Sequence, residues 1–212
     1  MPSIIDVEHV SPFHRYEGLN NLDKDTPRRM LFNTLRARVS PSSITELILR
    51  FESFTTIASE RKLHSWASRF VMGYPLPDWQ RDACWTQNQK IKFIESIWNK
   101  VDIGSYMVNT IFEYEDPPCN TVFKKFSDAL LDGQQRLSAI EDYLLNKFPV
   151  YDGNGSLCFW KDLGIVDRRF FGNKSFSKAI IQTFDEKILR ECYDLRSFGG
   201  TAHREDERAL PL

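Results

Sequence analysis

The sequence has no apolar run approaching the roughly 20 residues that a membrane-spanning helix needs. Its opening stretch, "MPSIIDVEHVSPFHRYEG", carries acids where a secretory leader wants positive charge, and it lacks a long apolar core. Both absences predict a cytoplasmic protein with no membrane partner. Cysteine is scarce: Cys84, Cys119, Cys158 and Cys192 are dispersed, and none forms a CxxC pair. That argues against a zinc or redox motif and predicts reduced, mostly buried thiols. Histidine is as scarce, with only His9, His14, His64 and His203, none of them in an evident nuclease constellation. Excess charge is also missing, since 28 basic residues balance 29 acidic ones for a net charge of −1. A surface that is basic all over is therefore excluded, and any contact with DNA phosphates needs a local patch. The candidate patch is Arg28, Arg29, Arg36 and Arg38 in "TPRRMLFNTLRARVS", with an ordinary solvated helix face as the competing reading. No internal repeat and no low-complexity segment occurs.

What is present is core material. Hydrophobic residues make up 42% of the 212 positions and include 16 Phe and 5 Trp, enough to bury a sizeable interior. In "PSSITELILRFESF", Ile44, Leu47, Ile48, Phe51 and Phe54 follow helical spacing behind a Pro-Ser start. Leu63, Trp66, Ala67 and Phe70 predict a second, shorter helix that stops at Gly73. Pro75 and Pro77 exclude a helix from "GYPLPDWQRDACW" and predict an extended segment. Thr86 and Gln89 form a capping-box pattern ahead of the apolar face of Ile91, Ile94, Ile97, Trp98 and Val101. "SYMVNTIFEY" reads as a strand, "SDALLD" as a short strand, and "QQRLSAIEDYLLNKF" as a helix with Leu137, Ile140, Leu144 and Leu145 inward. A turn at "DGNGS", strands at "SLCFW" and "FSKAIIQTF" and a helix at "DEKILRECYDL" complete the order. This order predicts an α/β (α+β) fold: a small mixed sheet flanked by helices over residues 61–212, with an N-terminal helical extension over 1–60.

One stretch asks for more than fold. In "LLDGQQRLSAI" a strand ends at Asp132 and Gly133, and Gln134, Gln135 and Arg136 open a helix. Asp132 as an N-cap and Gly133 as a turn need no further explanation. Arg136 does, because a helix N-terminus already carries partial positive charge and exposed N–H donors, so a cation there is unfavourable by up to ~1 kcal/mol. An anion docked at that end reverses the sign. Gly133 would allow close backbone approach, and Gln134 and Gln135 offer both donors and acceptors. Arg136 is then expected to face ligand rather than core, so that its removal leaves the fold intact. "PDWQRDACW" repeats the chemistry with Gln80 and Arg81 in an extended segment, and the two arginines could clamp one polyphosphate.

These stretches carry a resemblance. "PDWQRDACW", the helix "QKIKFIESIW" and "LLDGQQRLSAI" together, over about residues 62–148, resemble the DGQQR-motif family of the ParB/sulfiredoxin superfamily, the domain type at the N-terminus of GmrSD-type modification-dependent restriction enzymes. The tail "SFGGTAHREDE" is similar, more weakly, to phage-encoded stand-alone members. The resemblance implies a ParB-like fold, a nucleotide-phosphate site on the DGQQR turn, and NTP hydrolysis with a divalent cation, Mg²⁺. By matched position it implies that Arg136 and Arg81 hold phosphate oxygens, and that Asp132 holds the metal or orients a water. Gln134 and Gln135 would position phosphates or the attacking water, with Gln80 and Gly133 completing the site. The turn at Gly199, Gly200 and His203 echoes the sulfiredoxin phosphate turn, but Thr201 and Ala202 stand where that family has its cysteine, so sulfinic acid reduction is not expected. A histidine-rich nuclease domain is not expected either. Two functions remain open at this point. One is a Mg²⁺-dependent NTPase or phosphotransferase linked to DNA modification, restriction or phage counter-defence. The other is a non-catalytic nucleotide sensor that touches DNA or a partner protein.

Overall fold

The computed structural model describes residues 35, 37–115 and 120–198. The chain divides into Met1–Thr34 and Leu35–Leu212, and everything below concerns the second unit.

Its centre is a four-stranded mixed sheet. The strands are β1 (Arg38–Ser40), β4 (Ser105–Asn109), β7 (Ala129–Asp132) and β10 (Ser177–Ile181), in the order β1-β10-β4-β7. β10 runs parallel to β4, with Ala179 opposite Met107, and β1 and β7 lie antiparallel on the two outer sides. A register shift between Met107 and Val108 bends β4 where it meets the end of β7.

Side chains alternate across the sheet, as strand geometry requires. Tyr106, Val108 and Leu130 face one core together with Ile44, Leu47, Ile94, Ile97, Leu137, Ile140 and Phe171. These come from helices α1 (Ile44–Thr56), α3 (Gln87–Trp98), α4 (Gln134–Leu144) and α5 (Ile165–Gly172). Met107, Ala129, Leu131, Ala179 and Ile181 face a smaller core closed by Leu189 and Cys192 of α6 (Glu186–Phe198). The sheet is thus covered on both sides, which is why "YMV" and "ALL" are apolar runs rather than alternating ones. Fully burying one such Leu or Ile contributes about 1.5–3 kcal/mol.

The first capping box falls at Ser43 and Glu46 of α1, and the predicted one is present at Thr86 and Gln89 of α3. The expected helix running to Gly73 does not form as such. A single turn, α2 (Glu60–Leu63), is followed by a hairpin of β2 (Arg69–Val71) and β3 (Tyr74–Leu76). Met72 and Gly73, at φ 50° and 75°, make its two-residue turn, which needs positive φ at both positions. Gly73 therefore marks a hairpin, not a helix end. The extended reading of the segment after it holds for Tyr74–Leu76, and a turn closed by Gln80 N–H on Pro77 O follows.

"SYMVNTIFEY" breaks in two. Buried Asn109 ends β4 by bonding Phe126 O and Thr183 O, and β5 (Glu113–Glu115) then pairs with β6 (Asn120–Val122). The turn at 152–156 joins the short strands β8 (Val150–Tyr151) and β9 (Leu157–Cys158). Leu145 was expected inward but is 48% exposed, one residue beyond the end of α4. The described thiols, Cys84, Cys158 and Cys192, are free, but of these only Cys192 is buried, and Cys84 is exposed. Among the described residues no helix is long and apolar enough to cross a membrane.

Candidate phosphate-binding site

β7 ends at Asp132, and Gly133 turns the chain into α4 at φ 97°. Only glycine suits this corner. A Cβ here would lie 2.6 Å from Tyr106 Cβ, so the residue allows the turn to press against β4 rather than against a ligand. Gly133 is itself the N-cap and gives α4 no side-chain cap. Asp132 is therefore not the helix cap that its position in the sequence suggested. Its carboxylate Oδ2 instead accepts from Arg196 Nε at 2.8 Å and from Arg136 Nη2 at 3.2 Å.

The three glutamines do something that the sequence does not announce. Gln80 is buried, and its Nε2 donates to the carbonyls of Leu130 and Leu131 on β7, at 2.6 and 2.9 Å. Gln135 Oε1 accepts from the backbone N–H groups of Cys84 and Trp85, while its Nε2 donates to Asp82 O. Gln134, with its amide nitrogen toward Arg81 O at 2.9 Å, accepts from Ala83 N at 3.3 Å. All three amides bind backbone and join the 80–85 segment to the β7–α4 corner. Each such bond contributes about 1 kcal/mol. They hold the site's frame rather than reach into it.

The arginines are what the frame presents. Arg81 is exposed beside Gln80. Arg136 is half-buried: Nη1 donates to Ile103 O at 3.0 Å, and the guanidinium lies 5.8 Å from the Phe176 ring centroid. Burial pulls this guanidinium below its ordinary pKa, and the Asp132 carboxylate pushes it back. Arg136 thus braces the core as well as facing the site, contrary to the expectation that it points at ligand alone. Arg196, from the last turn of α6, also donates to Ser105 O and Oγ at 3.0 and 3.1 Å. Nothing in its sequence context singles it out, because a cation at a helix C-terminus is favourable and commonplace.

Gln80, Arg81, Asp132–Arg136, Trp85, Tyr193 and Arg196 line one cavity of about 240 Å³. The two Gln–Arg segments, far apart in sequence, are therefore brought together as expected, with Arg196, Trp85 and Tyr193 added. Three guanidiniums face one carboxylate, so the local charge favours an anion. The volume is below the roughly 300–1,000 Å³ of enclosed small-molecule sites, which suits a phosphate chain with the rest of a ligand outside. A resident metal fits the donor set poorly. Asp132 is the lone acid in the lining and is already held by two guanidiniums, and no group of three or more His, Cys, Asp or Glu among the described residues suits an ion. A Mg²⁺ here would be held chiefly by ligand oxygens. Gly199, Gly200 and His203 lie outside the described residues, as do Arg28, Arg29 and Arg36. Arg38 is exposed on β1.

Comparison with known proteins gives the chain a family. An uncharacterized protein of Methanocaldococcus jannaschii is 28% identical over 141 residues, which cover 55% of this chain but 24% of that protein. The chain therefore spans about a quarter of that relative's length. No solved structure matches the chain. Residues 62–207, which include every arginine and glutamine of the cavity, match the N-terminal domain of the GmrSD restriction endonuclease, and the chain belongs to that family.

Proposed function

We propose that this domain binds a nucleoside triphosphate through its phosphates, as the nucleotide-responsive part of a restriction-linked protein with a ParB/sulfiredoxin-type fold. The observation that carries the proposal is the meeting of Arg81, Arg136 and Arg196 with the uncapped start of α4 around one small polar cavity. The exposed face of each guanidinium takes phosphate oxygens, and the first N–H groups of α4 add donors along the helix dipole. Asp132 competes with the anion for Arg136 and Arg196, so phosphate entry loosens that pair. Family membership supports the link to restriction. Contact with DNA through Arg38 and its basic neighbours, and a partner protein, belong to the same proposal.

Hydrolysis is the second reading, and Asp132 favours it as the single carboxylate able to accept a proton from water in the cavity. The glutamines speak against it, since their amides already bind backbone. The test is calorimetric binding of ATP, GTP and CTP with Mg²⁺, together with phosphate release, for wild type, Arg81→Ala and Arg196→Ala. Binding that both variants weaken at least tenfold, without phosphate release, supports the sensor. Release abolished by Asp132→Asn supports the enzyme. No binding of any nucleotide refutes both readings.

A further inference from the structure

The space of about 240 Å³ around Arg81, Arg136 and Arg196 holds a phosphate chain and little more, so the sugar and base of a bound nucleotide lie at its rim or beyond. Two aromatic residues line it, Trp85 and Tyr193, both half-buried. Tyr193 precedes Arg196 by three residues, which puts it on the same face of α6 as that cation. Its ring stands edge-on to Trp79, with centroids 5.3 Å apart.

Trp85 is the better platform for a base. It ends the 80–85 segment that also carries Arg81, and its backbone N–H donates to Gln135 Oε1 at 3.1 Å, beside that of Cys84 at 2.9 Å. The next residue, Thr86, caps α3. The indole packs on the main core and meets the Phe93 ring at 5.5 Å and 61°. Backbone and ring are thus fixed before any ligand arrives, which lowers the entropy cost of using them. Among the described residues no cation and no second ring lies against this indole.

The edge of a base, by contrast, finds few readers. The amide nitrogens of Gln80, Gln134 and Gln135 all donate to backbone carbonyls, and Asp132 is held by Arg136 and Arg196. Such a site selects a base by the area of its face rather than by the pattern of its edge. Every base has a π-face, so stacking tolerates sequence and discriminates mainly by ring size.

We propose that Trp85 takes the nucleobase by stacking, so that the site prefers purine to pyrimidine nucleoside triphosphates and hardly separates adenine from guanine. This rests on the phosphate assignment of Arg81, Arg136 and Arg196, and the probes separate the two. Inorganic tripolyphosphate, ATP, GTP, CTP and UTP, each with Mg²⁺, are titrated by calorimetry into the full chain as wild type, Trp85→Ala, Trp85→Phe and Tyr193→Ala. Indole fluorescence is followed with ATP, and circular dichroism checks each fold.

ATP and GTP should bind within about threefold of each other, and about threefold or more tighter than CTP and UTP. Trp85→Ala should weaken ATP and GTP about tenfold but tripolyphosphate less than about twofold. Trp85→Phe keeps a ring and should hold ATP within about threefold of wild type, while the quenching that ATP causes in wild type disappears. Equal loss of ATP and tripolyphosphate in Trp85→Ala overturns the proposal and leaves Trp85 a structural role. So do pyrimidines that bind as tightly as purines, quenching that survives Trp85→Phe, or a selective loss of nucleotide in Tyr193→Ala instead. Tripolyphosphate bound without any nucleotide overturns it while the phosphate site stands. If nothing binds wild type, both fall.

Discussion

Replacing Arg136 by alanine should destabilise the fold as well as the site, and the size of that loss follows from its contacts. The side chain is 22% exposed and makes two directed bonds, to Ile103 O at 3.0 Å and to Asp132 Oδ2 at 3.2 Å. Hydrogen bonds from a charged donor contribute about 1.5–3 kcal/mol net when buried. The Asp132 bond contributes less, because Arg196 still holds that carboxylate and partly exposed pairs contribute ~1 kcal/mol at most. The Ile103 carbonyl, half-buried, regains water only in part. A net loss of about 2 kcal/mol results, or a fall in melting temperature of roughly 4–8 °C for a chain of this size. Arg81 is the control. It is exposed and its side chain makes no hydrogen bond among the described residues, so Arg81→Ala should change stability by less than about 0.5 kcal/mol. Both variants should lose affinity for inorganic triphosphate by titration calorimetry, but only Arg136→Ala should melt early by circular dichroism. If Arg136→Ala melts within about 1 °C of wild type, the bracing role assigned to the Ile103 bond is wrong.

Gly133→Ala places a side chain at φ 97° and 2.6 Å from Tyr106 Cβ, and should cost ~3 kcal/mol or more in urea unfolding; a loss under about 1 kcal/mol would show that the corner can relax. Asp142 holds Lys90 at 2.5 Å and Lys147 at 2.7 Å. Burial alone would raise its carboxyl, but those two lysines outweigh burial and hold it below its ordinary value. Its contribution is therefore present above the unfolded-state value, near pH 4, and is lost as pH falls through the lower folded one. Asp142→Asn should thus cost about 2 kcal/mol at pH 7, with the gap to wild type closing below pH ~4; a gap independent of pH would refute the ionic origin. Gln80→Leu keeps the burial but removes two bonds to β7, and should weaken triphosphate binding at least threefold although the Gln80 amide nitrogen is already bound to backbone. Unchanged affinity would show that Arg81 needs no anchor.

Much of the architecture was legible because local signals agreed with the fold. α3 begins at a capping box and buries Ile94 and Ile97 of its expected face, although Val101 lies beyond its end and is exposed, and "ALLD" followed by Gly133 could hardly be anything but a strand turning into a helix. The hairpin at Met72–Gly73 was not legible. Trp66, Ala67 and Phe70 happen to fall at helical intervals, and a glycine after them reads equally as a helix end or as half of a type I′ turn. The strand β1 was missed for a different reason. Three residues from Arg38 carry too little pattern, and their pairing with β10 spans most of the chain. The site was half legible. The anomaly of a cation at a helix start pointed to Arg136, but the partners that give the glutamines and Arg196 their roles lie 50 to 64 residues away.

Those long-range bonds explain why glutamine and arginine occur as neighbours twice. Gln80 closes a turn onto Pro77 O, and the chain from Arg81 to Trp85 runs on in neither helix nor strand. With Gln80 buried against the carbonyls of β7, Arg81 is left exposed at the cavity rim. On α4 successive residues are about 100° apart. Fixing Gln135 to the backbone of Asp82, Cys84 and Trp85 therefore sets Arg136 round toward Asp132 and Ile103. Each dipeptide is an anchor followed by a cation. An amide suits the anchor because it donates and accepts at once without bringing charge into the buried frame, where a carboxylate would neutralise the very guanidinium it positions. A leucine would fill the same space and hold neither backbone, and a glutamate would hold the N–H groups but cancel the field. The polarity of the stretch that looked out of place between strand and helix is thus divided: the glutamines join two chain segments, and the arginines remain charged at the seam.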